Sequence, residues 1–405
     1  MMVVQKRVII ILSVLIFFGL VPEIGFAQAE FEIIPEEPAY IFGESLTFRA
    51  VLRSIEDVDQ VVLFIQTREE ADLEIFPVTI DNLGNLSLDI DLREFKLPGF
   101  AEIRYWYQVS TSGGETYQSP VYNFDYTDNR FQWNTLTEGE FTINWYKGDL
   151  AFGEELLNVA LISMREIQDL LDIFVPENLD IYVYDSVQAM QAAVPGAGQY
   201  WIAGHADPMQ EVILVTLPPG PEQRLEMERQ IPHELMHVAL NYTDANAYSN
   251  FPLWLNEGLA SLVELYPNPE YSTLTKNAFE AGELLPMADL CQSFPSDPQL
   301  AMLAYAQSAS FTQYLYDQYG KNGFNRILAA YASGLNCEQG IQEALGSDFE
   351  SLEENWQRSS FAGVTLGIAL RELLPWLLLL LAVLAVPLIM IGVVIRKRPA
   401  RRDYE

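Results

Sequence analysis

Residues 230–260 read QIPHELMHVALNYTDANAYSNFPLWLNEGLA, and this stretch holds two of the three histidines in the 405-residue chain. His233 and His237 lie four positions apart and enclose Glu234. Positions i and i+4 share one helix face, so both imidazoles can reach one metal ion while Glu234 reaches a water beside it. Apolar neighbours predict that this helix is buried, where two unliganded histidines would be costly.

A catalytic zinc site needs a third protein ligand and one open position for water. The best candidate is Glu257 in WLNEGLA, twenty positions after His237. The intervening segment is polar and rich in turn-forming residues, so the chain can reverse there and bring a second helix against the first. We therefore predict a Zn²⁺ site formed by His233, His237 and Glu257, with Glu234 as the general base.

The motifs HELMH and WLNEGLA resemble those of the gluzincin metallopeptidases, especially the peptidase-MA-like branch related to the zinc aminopeptidases. The similarity covers roughly residues 131–331, about half of the chain. The resemblance implies a thermolysin-like catalytic domain that hydrolyses peptide bonds. It also implies the roles of four residues: zinc ligation by His233, His237 and Glu257, and general-base and proton-donor function for Glu234.

Three further sequence features of the family are matched only in part by this chain. The resemblance implies that Tyr305, in AYAQSASFTQYL, hydrogen-bonds the developing oxyanion, and simple packing is the alternative for this residue. Thermolysin-type sequences place an aspartate four residues after the third ligand, whereas Ser261 stands there in this chain. The residue that would orient a ligand is therefore left open. The amine-binding GxMEN stretch of the aminopeptidases is not found upstream, so exopeptidase specificity does not carry over.

The rest of the chain predicts an α+β fold. Over residues 30–128, runs such as SLTFRAVL, QVVLFIQT, LEIFPVTI, AEIRYWYQVS and ETYQSPVYNFDY predict an antiparallel β-sandwich of immunoglobulin or fibronectin type. Over 129–360, the predicted metallopeptidase domain, LAFGEELLNVALISMREIQDLL predicts a helix, and LDIYVYDS and EVILVTLP predict strands. In the fold class that the resemblance implies, EVILVTLP is expected to line the cleft edge and pair with an extended substrate. His205 before it is expected to be a loop residue, and contact with substrate is the alternative. Pro232 either kinks its helix or begins a second segment.

The two ends of the chain carry sequence patterns for export and for membrane anchoring. Residues 1–29 have a basic start, a short apolar run and a small-x-small site, as in a cleaved signal peptide; an uncleaved anchor is the alternative. After a linker at 361–372, residues 373–395 are uncharged and long enough to cross roughly 30 Å of hydrocarbon as a helix. The basic tail, 396–405, predicts a cytoplasmic C-terminus and an outward-facing segment 30–372.

Charge and cysteine content narrow the possible partners and the compartment. The net charge of −33 argues against nucleic-acid binding, because phosphate contacts need cations. A solvated acidic surface explains this charge most simply, and a preference for cationic substrates is the alternative. The two cysteines, Cys291 and Cys337, lie in the exported part, where disulfides persist, so we expect them to pair. Two free buried thiols are the alternative.

These patterns together predict a membrane-anchored, outward-facing zinc metallopeptidase that acts on peptide or protein substrates. The alternative is a catalytically inactive, peptidase-like surface protein used for binding or adhesion. The presence of Glu234 beside a complete ligand set favours the enzyme, because a metal that only stabilises a fold needs no general base. The substrate, its cleavage site and the oligomeric state are left open.

Overall fold

The computed structural model describes residues 31–54, 57–67, 73–173, 178–194, 204–207, 210–243 and 248–396. The predicted signal peptide and all but the first residue of the predicted tail lie outside the described residues. The chain divides into two compact units. The first contains Leu46–Ile90 and Ile103–Phe124 together with residues up to Tyr40, and the second contains Ile41–Ser45, Asp91–Glu102 and the chain from Asp125 onward. The predicted domain boundary after residue 128 stays a prediction.

The N-terminal part of the chain forms two antiparallel sheets. The strands are β1 (Phe31–Pro35), β2 (Ala39–Ile41), β3 (Ser45–Ser54), β4 (Val58–Thr67), β5 (Leu73–Pro77), β6 (Thr79–Ile80), β7 (Asn85–Asp91), β8 (Ala101–Thr111), β9 (Thr116–Gln118) and β10 (Tyr122–Tyr126). One sheet has the order β1-β3-β7-β6 with β2 beside β3, and the other has the order β10-β8-β4-β5 with β9 beside β8. This arrangement confirms the predicted antiparallel sheets.

Alternating apolar residues hold these two sheets face to face. Along β3, Leu46 and Phe48 point inward, and the Phe48 ring lies 5.0 Å from the Tyr105 ring of β8. Two predicted strands are each broken at a proline: LEIFPVTI divides after Pro77 into β5 and β6, and ETYQSPVYNFDY divides at Pro120 into β9 and β10. Proline cannot donate to a strand ladder. At Pro77 the chain changes its partner strand from β4 to β7, whereas β9 and β10 on either side of Pro120 both pair with β8.

The second unit begins with a mixed sheet. Its strands are β11 (Asn134–Glu138), β12 (Phe141–Trp145), β13 (Leu179–Tyr184), β14 (Gly204–Asp207) and β15 (Val212–Thr216), in the order β11-β12-β13-β15-β14. β12, β13 and β15 are parallel, and β14 pairs antiparallel with β15. The prediction that EVILVTLP forms the cleft edge is therefore wrong. His205 is also not a loop residue: it lies on β14, the edge strand, where pairing with Leu214 compensates for a weak local strand signal.

Helices make up most of the remainder, as predicted. They are α1 (Leu150–Leu170), α2 (Val187–Gln191), α3 (Gln223–Thr243), α4 (Leu253–Leu262), α5 (Tyr271–Ala281), α6 (Pro298–Ala332), α7 (Cys337–Leu345), α8 (Phe349–Ser360) and α9 (Ala362–Arg396). α1 matches its predicted span and begins at Asp149, whose carboxylate accepts the N–H of Phe152. Pro232 lies inside α3, so this helix continues through the proline instead of restarting there.

A shared core joins the mixed sheet to these helices. At its helical end the Phe311 ring of α6 is fully buried and lies 5.1 Å from Trp254, 5.6 Å from Trp356 and 5.8 Å from Phe349. The predicted disulfide between Cys291 and Cys337 is present. Cys337 begins α7, and its sulfur also accepts the indole N–H of Trp254 at 3.4 Å. Aromatic packing and the disulfide thus stabilise the same region.

α9 contains the predicted membrane anchor. Within it, Leu373–Ile391 is long and apolar enough to cross a bilayer by length and composition. Its large apolar side chains, such as Leu381 and Ile389, are exposed on the protein surface. A chain in water would leave this area unfavourably hydrated, whereas lipid would solvate it. The helix therefore fits the predicted single-pass anchor.

Replacing Phe311 with alanine should lower the free energy of unfolding by about 3–5 kcal/mol, because three aromatic neighbours lose their common partner and a cavity remains. Denaturant unfolding of the full chain in detergent, followed by tryptophan fluorescence, measures this loss. Leu300→Ala is the control: Leu300 lies on the same helix but is 43% exposed, so the change should stay within about 0.5 kcal/mol. A Phe311→Ala loss no larger than that of the control would contradict the assigned packing.

Candidate metal centre

Three side chains converge between α3 and α4. α3 supplies His233 and His237, and α4 supplies Glu257. One Glu257 carboxylate oxygen lies 3.3 Å from Nε2 of His233 and 3.8 Å from Nε2 of His237. One potential ligand atom from each residue lies within 4.8 Å of the other two. The structure thus brings together the three residues that the motif spacing singled out, in a His₂-carboxylate set typical of a catalytic zinc centre.

The other nitrogen of each imidazole is held by a hydrogen-bond acceptor. Nδ1 of His233 lies 3.1 Å from Oε1 of Glu264, and Nδ1 of His237 lies 3.0 Å from Oδ1 of Asn256. The Asn256 amide oxygen is oriented in turn, because its NH₂ group donates to the Tyr248 hydroxyl at 3.0 Å. Since an amide or carboxylate oxygen accepts, both Nδ1 atoms carry protons and each Nε2 faces the centre. This is the tautomer that presents Nε2 to a metal.

The sequence reasoning missed Glu264 and Asn256. It considered only Ser261 as a possible partner for a ligand, and the Ser261 hydroxyl is buried without a hydrogen-bond partner in the described part of the chain. The carboxylate that meets His233 comes from Glu264, three residues later. Glu264 is seven positions after Glu257, which is two helical turns, so a search at helical spacing could have found it.

The electrostatics of the cluster favour a positive charge at its centre. Burial by itself lowers the pKa of His233, but hydrogen bonds to Glu257 and Glu264 and the charge of Glu234 raise that pKa to about 10. Burial would raise the pKa of Glu257, yet the neighbouring His237 and His233 hold it below its ordinary value. A metal ion would therefore displace a proton from His233 as it binds.

Close packing of α4 on α6 sets the position of Glu257. Gly258 follows Glu257, and a side-chain carbon at Gly258 would lie only 2.7 Å from the Ser308 carbonyl oxygen of α6 and would also collide with the Thr312 hydroxyl. The absence of a side chain lets the two helix backbones approach. Glu257 is thus carried on a helix whose spacing from α6 is fixed by backbone contact.

Glu234 lies beside the ligands, against the edge strand β14. It is nearly buried, and a side-chain carbon at Gly204 would lie 2.7 Å from the carboxyl carbon of Glu234. Both residues line a cavity of about 370 Å³ that also contains the three convergent side chains, His205 and Tyr305. This volume lies within the range of small-molecule and peptide side-chain sites. Glu234 can therefore reach a molecule in the cavity without being one of the three convergent ligands.

Tyr305, on α6, also lines this cavity. Its ring packs edge-on against Phe294 with centroids 4.9 Å apart. Burial raises the pKa of the Tyr305 hydroxyl, and the charge of Glu257 raises it further. The hydroxyl therefore keeps its proton and can donate a hydrogen bond near the cluster. Its catalytic role stays a prediction.

A family model of the peptidase MA superfamily matches residues 160–362, half of the chain. The match includes the two motif helices and most of the cavity lining. The chain belongs to the peptidase MA superfamily. This confirms the resemblance drawn from HELMH and WLNEGLA, and it assigns a peptidase-like class in which metal dependence is typical.

Solved structures add little to this assignment. A myokine structure is 12% identical, with 23% of this chain and 96% of that chain covered and a TM-score of 0.19. OgpA from Akkermansia muciniphila is 20% identical, with 27% and 32% covered and a TM-score of 0.20. A carbohydrate-binding module family 56 β-1,3-glucan binding domain is 11% identical, with 24% and 99% covered and a TM-score of 0.17. These scores are too low to carry an argument, and no curated protein matches the chain.

Gly204→Ala should impair any hydrolytic activity while leaving metal binding intact. The added methyl group would collide with the Glu234 carboxylate and displace it, and the three atoms nearest to it all belong to Glu234 rather than to the three convergent side chains. A misplaced general base costs about 10²–10⁴-fold in rate. Steady-state kinetics and metal content should be measured together. Gly220→Ala, in an exposed turn where an added side-chain carbon would meet nothing closer than 4.0 Å, controls for the loss of a glycine. Full activity in Gly204→Ala would contradict the assigned contact.

Proposed function

We propose that the chain is a membrane-anchored, extracytoplasmic zinc metallopeptidase with a thermolysin-like catalytic arrangement. The observation that carries this proposal is the convergence of His233, His237 and Glu257, with Glu234 beside them in one cavity. Superfamily membership supports a peptidase, and the donor set of two imidazoles and a carboxylate suits Zn²⁺.

Each residue then has a distinct part in peptide hydrolysis. His233, His237 and Glu257 would hold the zinc ion, which when bound acts as a Lewis acid and lowers the pKa of water to roughly 7. Glu234 takes a proton from the attacking water and returns it to the leaving amine. The Tyr305 hydroxyl donates a hydrogen bond to the carbonyl oxygen as it gains charge.

The substrate is an extended peptide in this proposal. β14 is the edge of the mixed sheet among the described strands, and its residues Gly204, His205 and Ala206 line the cavity. A peptide can add to such an edge through main-chain hydrogen bonds, which bring a scissile bond past Glu234. Because those contacts are made by the backbone, they suit many sequences.

The helix Leu373–Ile391 would anchor the enzyme, with the basic residues after it in the cytoplasm and the catalytic unit outside. The disulfide between Cys291 and Cys337 agrees with an oxidising compartment. We assign the two N-terminal sheets to an immunoglobulin- or fibronectin-like sandwich. No residue of that sandwich is given a catalytic role.

Glu234→Gln tests the proposal directly. The full chain in detergent should bind about one zinc per chain, and chelation should abolish cleavage of a peptide library. The variant should keep its zinc and lose about 10²–10⁴-fold in kcat, because glutamine cannot accept the proton. Glu280→Gln, an exposed glutamate of α5, is the matched control.

Three outcomes separate the alternatives in this experiment. Undiminished cleavage by Glu234→Gln would mean that Glu234 is not the base. A wild-type chain that binds zinc but cleaves no peptide would support the inactive binding or adhesion protein. A wild-type chain that binds no metal would overturn the metal centre itself.

Tyr305→Phe should lower kcat by about 10²–10³-fold, the usual cost of one lost oxyanion donor, while KM and zinc content stay near wild type. The phenyl ring keeps the packing against Phe294 and removes only the hydroxyl. Tyr314→Phe, on the same helix and outside the cavity lining, is the control. An unchanged kcat in Tyr305→Phe would assign this residue to packing alone.

A further inference from the structure

The proline inside α3 leaves one backbone carbonyl without its helical partner. Pro232 has no N–H, so the carbonyl of Glu228, four residues earlier, cannot receive its usual intrahelical bond. That oxygen instead accepts two hydrogen bonds from another part of the chain, from the N–H of Leu265 at 2.8 Å and from the N–H of Tyr266 at 3.2 Å. The carbonyl that the helix leaves without a partner thus makes a tertiary contact.

This contact lies directly beside the candidate metal centre on both sides. On α3, Pro232 immediately precedes His233. On the other segment, Leu265 immediately follows Glu264, whose Oε1 lies 3.1 Å from Nδ1 of His233. Arg229 adds a second link between the same segments, because its guanidinium lies over the Tyr266 ring at 5.5 Å.

Glu264 depends on this backbone contact for its position. It follows the end of α4 at Leu262, and its own N–H makes only a long turn hydrogen bond of 3.4 Å to the Ser261 carbonyl. Its Oε1 meets His233, but its Oε2 is buried and has no hydrogen-bond partner within the described residues. The side chain is therefore held at one oxygen only, and the bonds from Leu265 and Tyr266 to Glu228 hold the backbone directly after it.

We propose that Pro232 is a positioning residue for the metal centre. Because Pro232 has no N–H, the Glu228 carbonyl is free to accept hydrogen bonds from Leu265 and Tyr266. This contact holds Glu264 at hydrogen-bond distance from Nδ1 of His233. The inference rests on the proposed function, since it treats His233 as a zinc ligand. An alanine at position 232 would supply an N–H that competes for an oxygen with only two lone pairs, both already used.

A double-mutant cycle on zinc affinity tests this role. In the full chain in detergent, Pro232→Ala should weaken zinc binding about tenfold, and Glu264→Ala should weaken it about 10–100-fold, as is typical when the partner of a ligand is lost. The double variant should bind zinc no more weakly than Glu264→Ala alone, because both changes remove the same support. Affinity is read by competition with a chromophoric chelator, and Pro221→Ala, in the exposed turn before α3, should match wild type.

Thermal unfolding of the metal-free chain separates positioning from general stability. Alanine favours a helix interior more than proline does, so the melting temperature of metal-free Pro232→Ala should be equal to or above that of wild type while its zinc affinity falls. Unchanged zinc affinity in Pro232→Ala, or losses that add in the double variant, would overturn the proposal.

Hydrogen exchange tests the contact in the wild-type protein, and it remains decisive if Pro232→Ala does not fold. The amides of Leu265 and Tyr266 should be protected in the metal-free chain, and exchange at the rate of an open loop would overturn the inference. Because this measurement needs no zinc, it also separates the two proposals. If the chain bound no zinc but protected these amides, the proposed function would be overturned while the backbone contact itself stood. Pro232 would then have no metal ligand to position, so its proposed role would also be overturned.

Discussion

The mutual burial of imidazoles and carboxylates between α3 and α4 is the constraint on which the rest of the second unit depends. Unpaired charges are expensive away from water, so each of these groups is tolerated only because another faces it. His233 stands between Glu257 and Glu264, and His237 is held by Asn256. A shift of either helix would leave several buried groups without partners at once. The two helices must therefore be held in one fixed relation.

The fixed relation of the two helices depends mainly on residues that lack either a side chain or a backbone N–H. Gly258 lets α4 lie against the backbone of α6, and Gly204 lets β14 lie against the Glu234 carboxylate. Pro232 lacks an N–H and so frees a carbonyl for the segment after α4. Backbone contacts have few degrees of freedom, whereas long side chains can change rotamer. Precision at the cluster thus follows from residues that carry no functional group themselves.

Local pattern was enough to predict part of the fold and site, and tertiary contacts explain what was missed. The His233–His237 pair follows from helical periodicity, and Glu257 from a turn-rich segment that allows the chain to reverse. Glu264 was missed because the family pattern directs attention to Ser261, one turn after Glu257, whereas the partner of His233 lies two turns after it and beyond the end of α4. β14 is short and has a weak strand signal, so its pairing with β15 decides its structure.

The charge of the cavity gives a physical reason for the metal dependence that is typical of the peptidase MA superfamily. Glu234, Glu257 and Glu264 bring three carboxylates to one small space, in a chain that is already strongly acidic. Such a group of charges favours a compensating cation, and because Glu257, Glu264 and Glu234 raise the pKa of His233, a proton can serve. A divalent ion satisfies the same need with more charge and with ligands already oriented by Glu264 and Asn256. Proton and metal are therefore competing solutions to one electrostatic demand, since each would occupy Nε2 of His233 opposite Glu257.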